Sequence, residues 1–227
     1  MVWFLRWVVS GFAIGIGFIV AMFTMGYAAQ YYYSHYETKH PLAFMSNEAL
    51  KAPLKNDDQR EAVSESYDNE KLDQIYAKAE KYRWGVGVNK NNEEAAKYYL
   101  LAAEHNHIKS QMALARLFID GYGVNQNYGE AIKWYKAASN LGSTEATGGI
   151  GWMYLNGYGV SKDYKLAFDN LMLAANDGHG FAMGNIGYMY ELGLFVDRND
   201  GLARQWYEKG KLAGDDYSYR KIRDGWQ

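Results

Sequence analysis

The stretch Ala113–Val124, ALARLFIDGYGV, returns 36 residues later as Gly149–Val160, GIGWMYLNGYGV. Its closing G-x-G-V also stands at Gly85, and a broken copy, Gly193-Leu194-Phe195-Val196, follows at the same interval. A fixed period of this length marks a stacked-repeat architecture and argues against a one-off catalytic pocket. Other columns keep the register. Three residues before each leading Gly stand Tyr82, Phe118, Tyr154 and Tyr190; six before it stand Ala79, Ala115, Gly151 and Gly187. Ten after it come Ala95, Ala131, Ala167 and Ala203, and seventeen after it Ala102, Ala138, Ala174 and Gly210.

These columns read as two short helices per unit. Positions −10, −7, −6 and −3 from the leading Gly share one helical face. That Gly suits a left-handed C-cap, and the second Gly allows a sharp turn. Val88, Val124, Val160 and Val196 plug the loop. The second helix carries Tyr98-Tyr99, Trp134-Tyr135, Asn170-Leu171 and Trp206-Tyr207, and ends near Gly142, Gly178 and Gly214. Small columns let helices approach while aromatic ones fill the gaps. A unit of this size cannot bury its face alone, so the units must stack.

The pattern is clearest over Ala113–Gly142 and Ile150–Gly178, and it resembles the Sel-one-like repeat (SLR), a relative of the tetratricopeptide repeat. The resemblance covers roughly residues 72–214. It implies an all-α, right-handed α-solenoid of about four helix-turn-helix units, 71–107, 108–142, 143–178 and 179–214. It also implies an adaptor or scaffold with no shared catalytic residues. Lys78 and Lys81 in the first unit and Phe195 in the last depart from the pattern, as terminal units do. Residues 215–227, with Tyr219, Ile222 and Trp226, read as a capping helix.

Ahead of the repeats, Trp7 to Ala29 is 23 residues without a charge, long enough to span a bilayer of about 30 Å. Trp3 and Trp7 lie at one edge and Tyr31, Tyr32, Tyr33 and Tyr36 at the other, as interfacial belts do. A cleavable signal peptide is the competing reading, but its apolar run is normally 7–15 residues. Arg6 and the terminal amine, against Glu37 and Lys39, favour residues 1–6 inside, a signal anchor at 7–29 and the repeats outside the cytoplasm. That arrangement is a single-pass protein of a bacterial inner membrane with a periplasmic repeat domain. Gly11 and Gly15 form a G-x-x-x-G that could pair two spans, although glycines are common in membrane helices anyway. Residues 30–70 read as a tyrosine-rich juxtamembrane segment and polar linker, with an apolar island at Pro41–Met45 that either docks on the first unit or stays a linker.

The composition excludes several chemistries. A net charge of −2 with no basic run gives nucleic-acid binding no electrostatic support. The absence of cysteine removes disulfides, thiol catalysis and a lipoprotein anchor. His105 and His107 fall in an inter-repeat turn with no third ligand near in sequence, so a metal site is not expected. No carboxylates pair as acid and base, and no cofactor is implied. The chain reads as a non-enzyme.

A partner would meet the stripe opposite the packing face of the first helices, at positions −12, −8, −5 and −1. The resemblance places this stripe on the concave side. Unlike the packing columns it does not repeat. It runs from Asp73, Ala77, Glu80 and Trp84, through Lys109, Ala113, Arg116 and Asp120, to Glu145, Gly149, Trp152 and Asn156, and ends on Phe181, Asn185, Tyr188 and Leu192. Trp152, Tyr188 and Phe181 are the expected anchors, with Leu192 beside them, Asn156 and Asn185 as hydrogen-bonding neighbours, and Arg116 and Glu80 as charges. The competing expectation is that these aromatics only touch the next helix. The expected partner is a protein: a toxic effector, such as a lipase, neutralised by an immunity protein, or an envelope component held by an adaptor. A structural membrane protein oligomerising through Gly11 and Gly15 is the remaining alternative.

Overall fold

The structure, a computed structural model, describes residues 50–51 and 67–224. The expected span at 7–29, Gly11 and Gly15, the Pro41–Met45 island and Trp226 lie outside the described residues. The chain divides into Met1–Ala43 and Phe44–Gln227, and the repeats belong to the second unit. Among the described residues no helix is long and apolar enough to cross a membrane.

Every regular element there is a helix: α1 (Asn69–Trp84), α2 (Asn92–Glu104), α3 (Ile108–Asp120), α4 (Tyr128–Asn140), α5 (Thr144–Asn156), α6 (Tyr164–Asn176), α7 (Gly180–Leu192), α8 (Asp200–Leu212) and α9 (Asp216–Arg223). The odd-numbered helices α1 to α7 end on Gly85, Gly121, Gly157 and Gly193. Each of these glycines is left-handed, and each returns its N–H to the carbonyl four residues back. The even-numbered helices open on a second polar column, Asn91, Asn127, Asp163 and Asn199, whose side chains accept from the first-turn N–H groups. Each such cap is worth about 1 kcal/mol.

Consecutive helices pack on one another along the stack, and first helices also touch, α5 with α7 and α7 with α9. The loops lock neighbouring units. A Cβ on Gly123 would stand 2.3 Å from the carbonyl carbon of Asn92, and one on Gly159 would stand 2.4 Å from that of Tyr128. In the last unit Phe195 keeps the left-handed backbone, φ 66°, and lays its ring 5.7 Å from that of Phe168. Gly87, with no unit ahead of it, has nothing near its Cβ direction.

The core falls into two apolar clusters that meet within α5. The first runs from Leu50 and Ala79 to Met153, the second from Leu155 to Met189. At the far end α9 packs on α8: Asp215 caps it, Ser218 is buried, and Tyr217 sets its ring 5.7 Å from that of Tyr207.

Candidate interaction face

The first half of the stripe is tied together by its own charges. Lys109 Nζ lies 2.9 Å from Asp73 Oδ1, joining α3 to α1, and Arg116 pairs with Glu145, joining α3 to α5. Both pairs link first helices of adjacent units, which puts these stripe positions on one continuous face. Lys109, and less strongly His107, holds the Asp73 carboxyl below its usual range. Glu80 accepts from the Trp84 indole at 2.7 Å and from the hydroxyl of Tyr99 on α2. Burial and that carboxylate push the Tyr99 hydroxyl well up, so it remains a donor.

The second half is different. Trp152 is half-buried, its ring 5.0 Å from Tyr158, which in turn stacks on Tyr128 at 4.8 Å. Tyr188 is half-buried against the second apolar cluster. Phe181 and Leu192 stay open, 39% and 51% exposed. The side-chain amides of Asn156 and Asn185 donate to their own helices, to Trp152 O at 2.8 Å and Phe181 O at 2.7 Å. A partner would therefore meet the amide oxygens. Trp152 and Tyr188 thus both pack and remain accessible, so they are rigid aromatic edges and not free side chains.

One column marks where the change begins. Fourteen residues after the leading Gly stand Tyr99, Tyr135, Leu171 and Tyr207. The first and last tyrosines donate back to first-helix carboxylates, Tyr99 to Glu80 and Tyr207 to Glu191 at 2.7 Å. Tyr135 lies beside Arg116. Leu171 has no hydroxyl, and in its unit the stripe position that holds Glu80 and Arg116 elsewhere holds Trp152. Glu191, which also takes Lys221 Nζ of α9 at 2.8 Å, is a residue that the stripe pattern missed. Its signal was the hydroxyl column. His105 stacks on Tyr67 at 3.9 Å and His107 is held by Ser110 and Asp73. Among the described residues no group of three or more metal-binding side chains is assembled.

The description "Sel1 repeat" matches four times, at residues 77–107, 108–143, 145–179 and 180–215. Among solved structures, the chain is similar to c5321, a protective antigen of uropathogenic Escherichia coli displaying an SLR fold. The identity is 30% and the TM-score 0.62, over 68% of this chain and 33% of that one. It is also similar to a Sel1 repeat protein from Oxalobacter formigenes, at 32% identity and TM-score 0.58, over 67% of this chain and 63% of that one. The chain thus spans a third of the first relative and under two thirds of the second. The immunity protein Pa5087 of Pseudomonas aeruginosa is a more distant likeness, at 19% identity and TM-score 0.40, over 70% of this chain and 71% of that one. No curated protein matches. Four matched units laid over four capped helix pairs leave one assignment: the chain belongs to the Sel1 repeat family.

Proposed function

We propose that this protein is a non-enzymatic binding protein of a bacterial envelope, holding a partner protein on the first-helix face of its last two units. Sel1 repeats are interaction scaffolds, and one observation directs the reading to that end. Asp73, Lys109 and Arg116 of the first half are answered within the stack, whereas Phe181, Leu192 and the edges of Trp152 and Tyr188 offer apolar surface. Half-buried aromatics of fixed orientation make good anchors, because they lose little freedom on binding. The partner is a toxic effector, with the protein acting as its immunity factor, or an envelope component, with the protein acting as an adaptor. The residues at 7–29 anchor it in the inner membrane with the repeats in the periplasm.

Full-length protein retains its partner from envelope fractions, and the Trp152→Ala, Tyr188→Ala double variant loses it. Equal retention by both overturns the assignment of the face. Protection of the repeats from protease added to intact spheroplasts overturns the periplasmic placement.

A further inference from the structure

Along the edge of the face nearest the loops, the −1 position reads Trp84, Asp120, Asn156 and Leu192. Each is the last residue of its helix, and Asp120 is the one charge in the row. A carboxylate there meets the negative end of the helix dipole, an unfavourable place for it. Nearby cations offset such a cost, but the two beside Asp120 are engaged elsewhere. Arg116 pairs with Glu145. Arg83 lies 3.9 Å from Glu80 and sits over the Trp84 ring at 5.0 Å. Among the described residues Asp120 makes no side-chain hydrogen bond or ion pair. Its side chain reaches solvent, yet its neighbours strip enough water from it to raise the carboxyl pKa, against the downward pull of Arg83 and Arg116. Stability of the stack does not account for this residue.

Its place on the face does. The next residue along the row is Asn156, whose amide nitrogen is held by Trp152 O, so that the amide oxygen faces outward. Trp152 itself stands one turn back along α5, and Leu192 lies open one unit further on. A carboxylate and an amide oxygen thus sit side by side at the border of the apolar half. Both are acceptors, and one is charged, so the complementary group is a cationic donor. Resting on the binding face proposed above, we infer that Asp120 receives a Lys or Arg side chain of the partner protein, whose docked segment carries that cation beside its apolar side chains. The long stem of either residue lies along apolar surface while its head reaches the carboxylate. First helices of adjacent units lie about 10 Å apart, the span of about three extended residues. The segment therefore sets its cation about three residues from the apolar side chain that meets Trp152.

A library of random peptides displayed on phage tests this, selected on the full-length protein in detergent and on its variants. Selection on the unaltered protein enriches peptides with Lys or Arg about three positions from an aromatic or aliphatic residue, and the Trp152→Ala, Tyr188→Ala variant releases them. Leu192→Ala, at an open position, serves where the double variant unfolds. The same peptides bind Asp120→Asn about fivefold more weakly at about 0.15 M salt, a difference that shrinks at 1 M salt. Selection on Asp120→Lys replaces the enriched cation by Asp or Glu and keeps the apolar residues. Because the carboxylate is unfavourable at a helix end, Asp120→Asn melts at the same temperature or about 1–2 °C higher. A lower melting temperature makes Asp120 a structural residue and overturns the inference. Enriched peptides without a basic residue, equal affinity for Asp120→Asn, or an unchanged preference on Asp120→Lys each overturn the cation site and leave the apolar face standing. Failure to enrich any peptide that the aromatic or Leu192 variant releases overturns the face itself, and the cation site with it.

Discussion

The first two units and the last two are built on the same columns yet present different faces. In units one and two the stripe positions carry charge, and four of the five charges are answered by a neighbour: Asp73 and Lys109 by each other, Arg116 by Glu145, Glu80 by Tyr99 and Trp84. In units three and four the same positions carry Glu145 and Gly149, then Trp152, Asn156, Phe181, Asn185, Tyr188 and Leu192, with Glu145, the partner of Arg116, as the one charge among them. The packing columns shift in step. Ala79 and Ala115 give way to Gly151 and Gly187, where a Cβ would stand 2.7 Å from Leu171 Cγ and 2.9 Å from the Tyr207 ring. The helix pairs of the second half therefore approach more closely. Positions that repeat build the scaffold, and positions that do not repeat are free to differ in what they bind.

The largest effect expected is on binding. An aromatic anchor at an interface costs about 2 kcal/mol or more when truncated. The Trp152→Ala, Tyr188→Ala double variant should therefore weaken partner affinity at least about a hundredfold, measured by titration against the isolated partner. Glu80→Gln in the first half should change it by less than about threefold. Comparable losses from both would erase the difference between the halves. Because both aromatics also pack, a thermal melt of the double variant must accompany the titration.

Next in size is the close approach. Gly151→Ala sets a methyl group against Leu171 Cγ and 3.0 Å from the Ala167 carbonyl oxygen, which is backbone and cannot move aside. Overpacking of this kind costs about 1–3 kcal/mol, read as a lowered denaturation midpoint. Gly87→Ala, in the loop with no preceding unit, meets nothing and should cost only the left-handed penalty, about 1 kcal/mol. A harmless Gly151→Ala would mean that the second half is not packed more tightly.

The scaffold was largely legible in the sequence because it repeats. Gly85, Gly121, Gly157 and Gly193 are the left-handed caps that their position three residues after the aromatic column called for. The cap column of Asn91, Asn127, Asp163 and Asn199 keeps the same 36-residue register. The face was less legible. That Trp152 leans on Tyr158, or that Asn156 and Asn185 turn back onto their helices, depends on rotamers chosen by neighbours, which no periodicity encodes. Leu50 could not be found by repetition, since it stands outside the repeat.

A smaller effect separates the halves by pH. The N-cap column of the first helices reads His107, Ser143, His179 and Asp215. Burial holds both imidazoles below their usual pKa; Asp73 pulls His107 back up, while Glu145 and Asp215 pull His179 up and Arg116 pulls it down. With the folded value depressed, the unfolded chain takes up protons first. The stability they contribute is present above about pH 6.5 and is lost as pH falls below it toward the folded values. His107 has acceptors in Asp73 and Ser110, whereas His179 Nδ1 is buried without a hydrogen-bond partner. His179→Ser should therefore flatten the difference in urea midpoint between pH 7.5 and 5.5 more than His107→Ser does. The reverse order would place the acid-sensitive junction in the first half.

The smallest effect concerns the pair that joins the halves. Arg116 on α3 and Glu145 on α5 are 48% and 46% exposed, so water screens them and the pair contributes about 0.2–1 kcal/mol. A double-mutant cycle of Arg116→Ala and Glu145→Ala should return a coupling in that range, most of it gone at 1 M salt, where the screening length is about 3 Å. Such a weak pair can be exchanged. If Arg116 orients a partner, it must leave Glu145 to do so, and Glu145→Gln removes the competitor. Affinity should then rise by up to about fivefold, the equivalent of the lost pair, while Arg116→Ala lowers it. An affinity indifferent to both changes confines binding to the aromatic half, and Arg116 is then only a brace between units two and three.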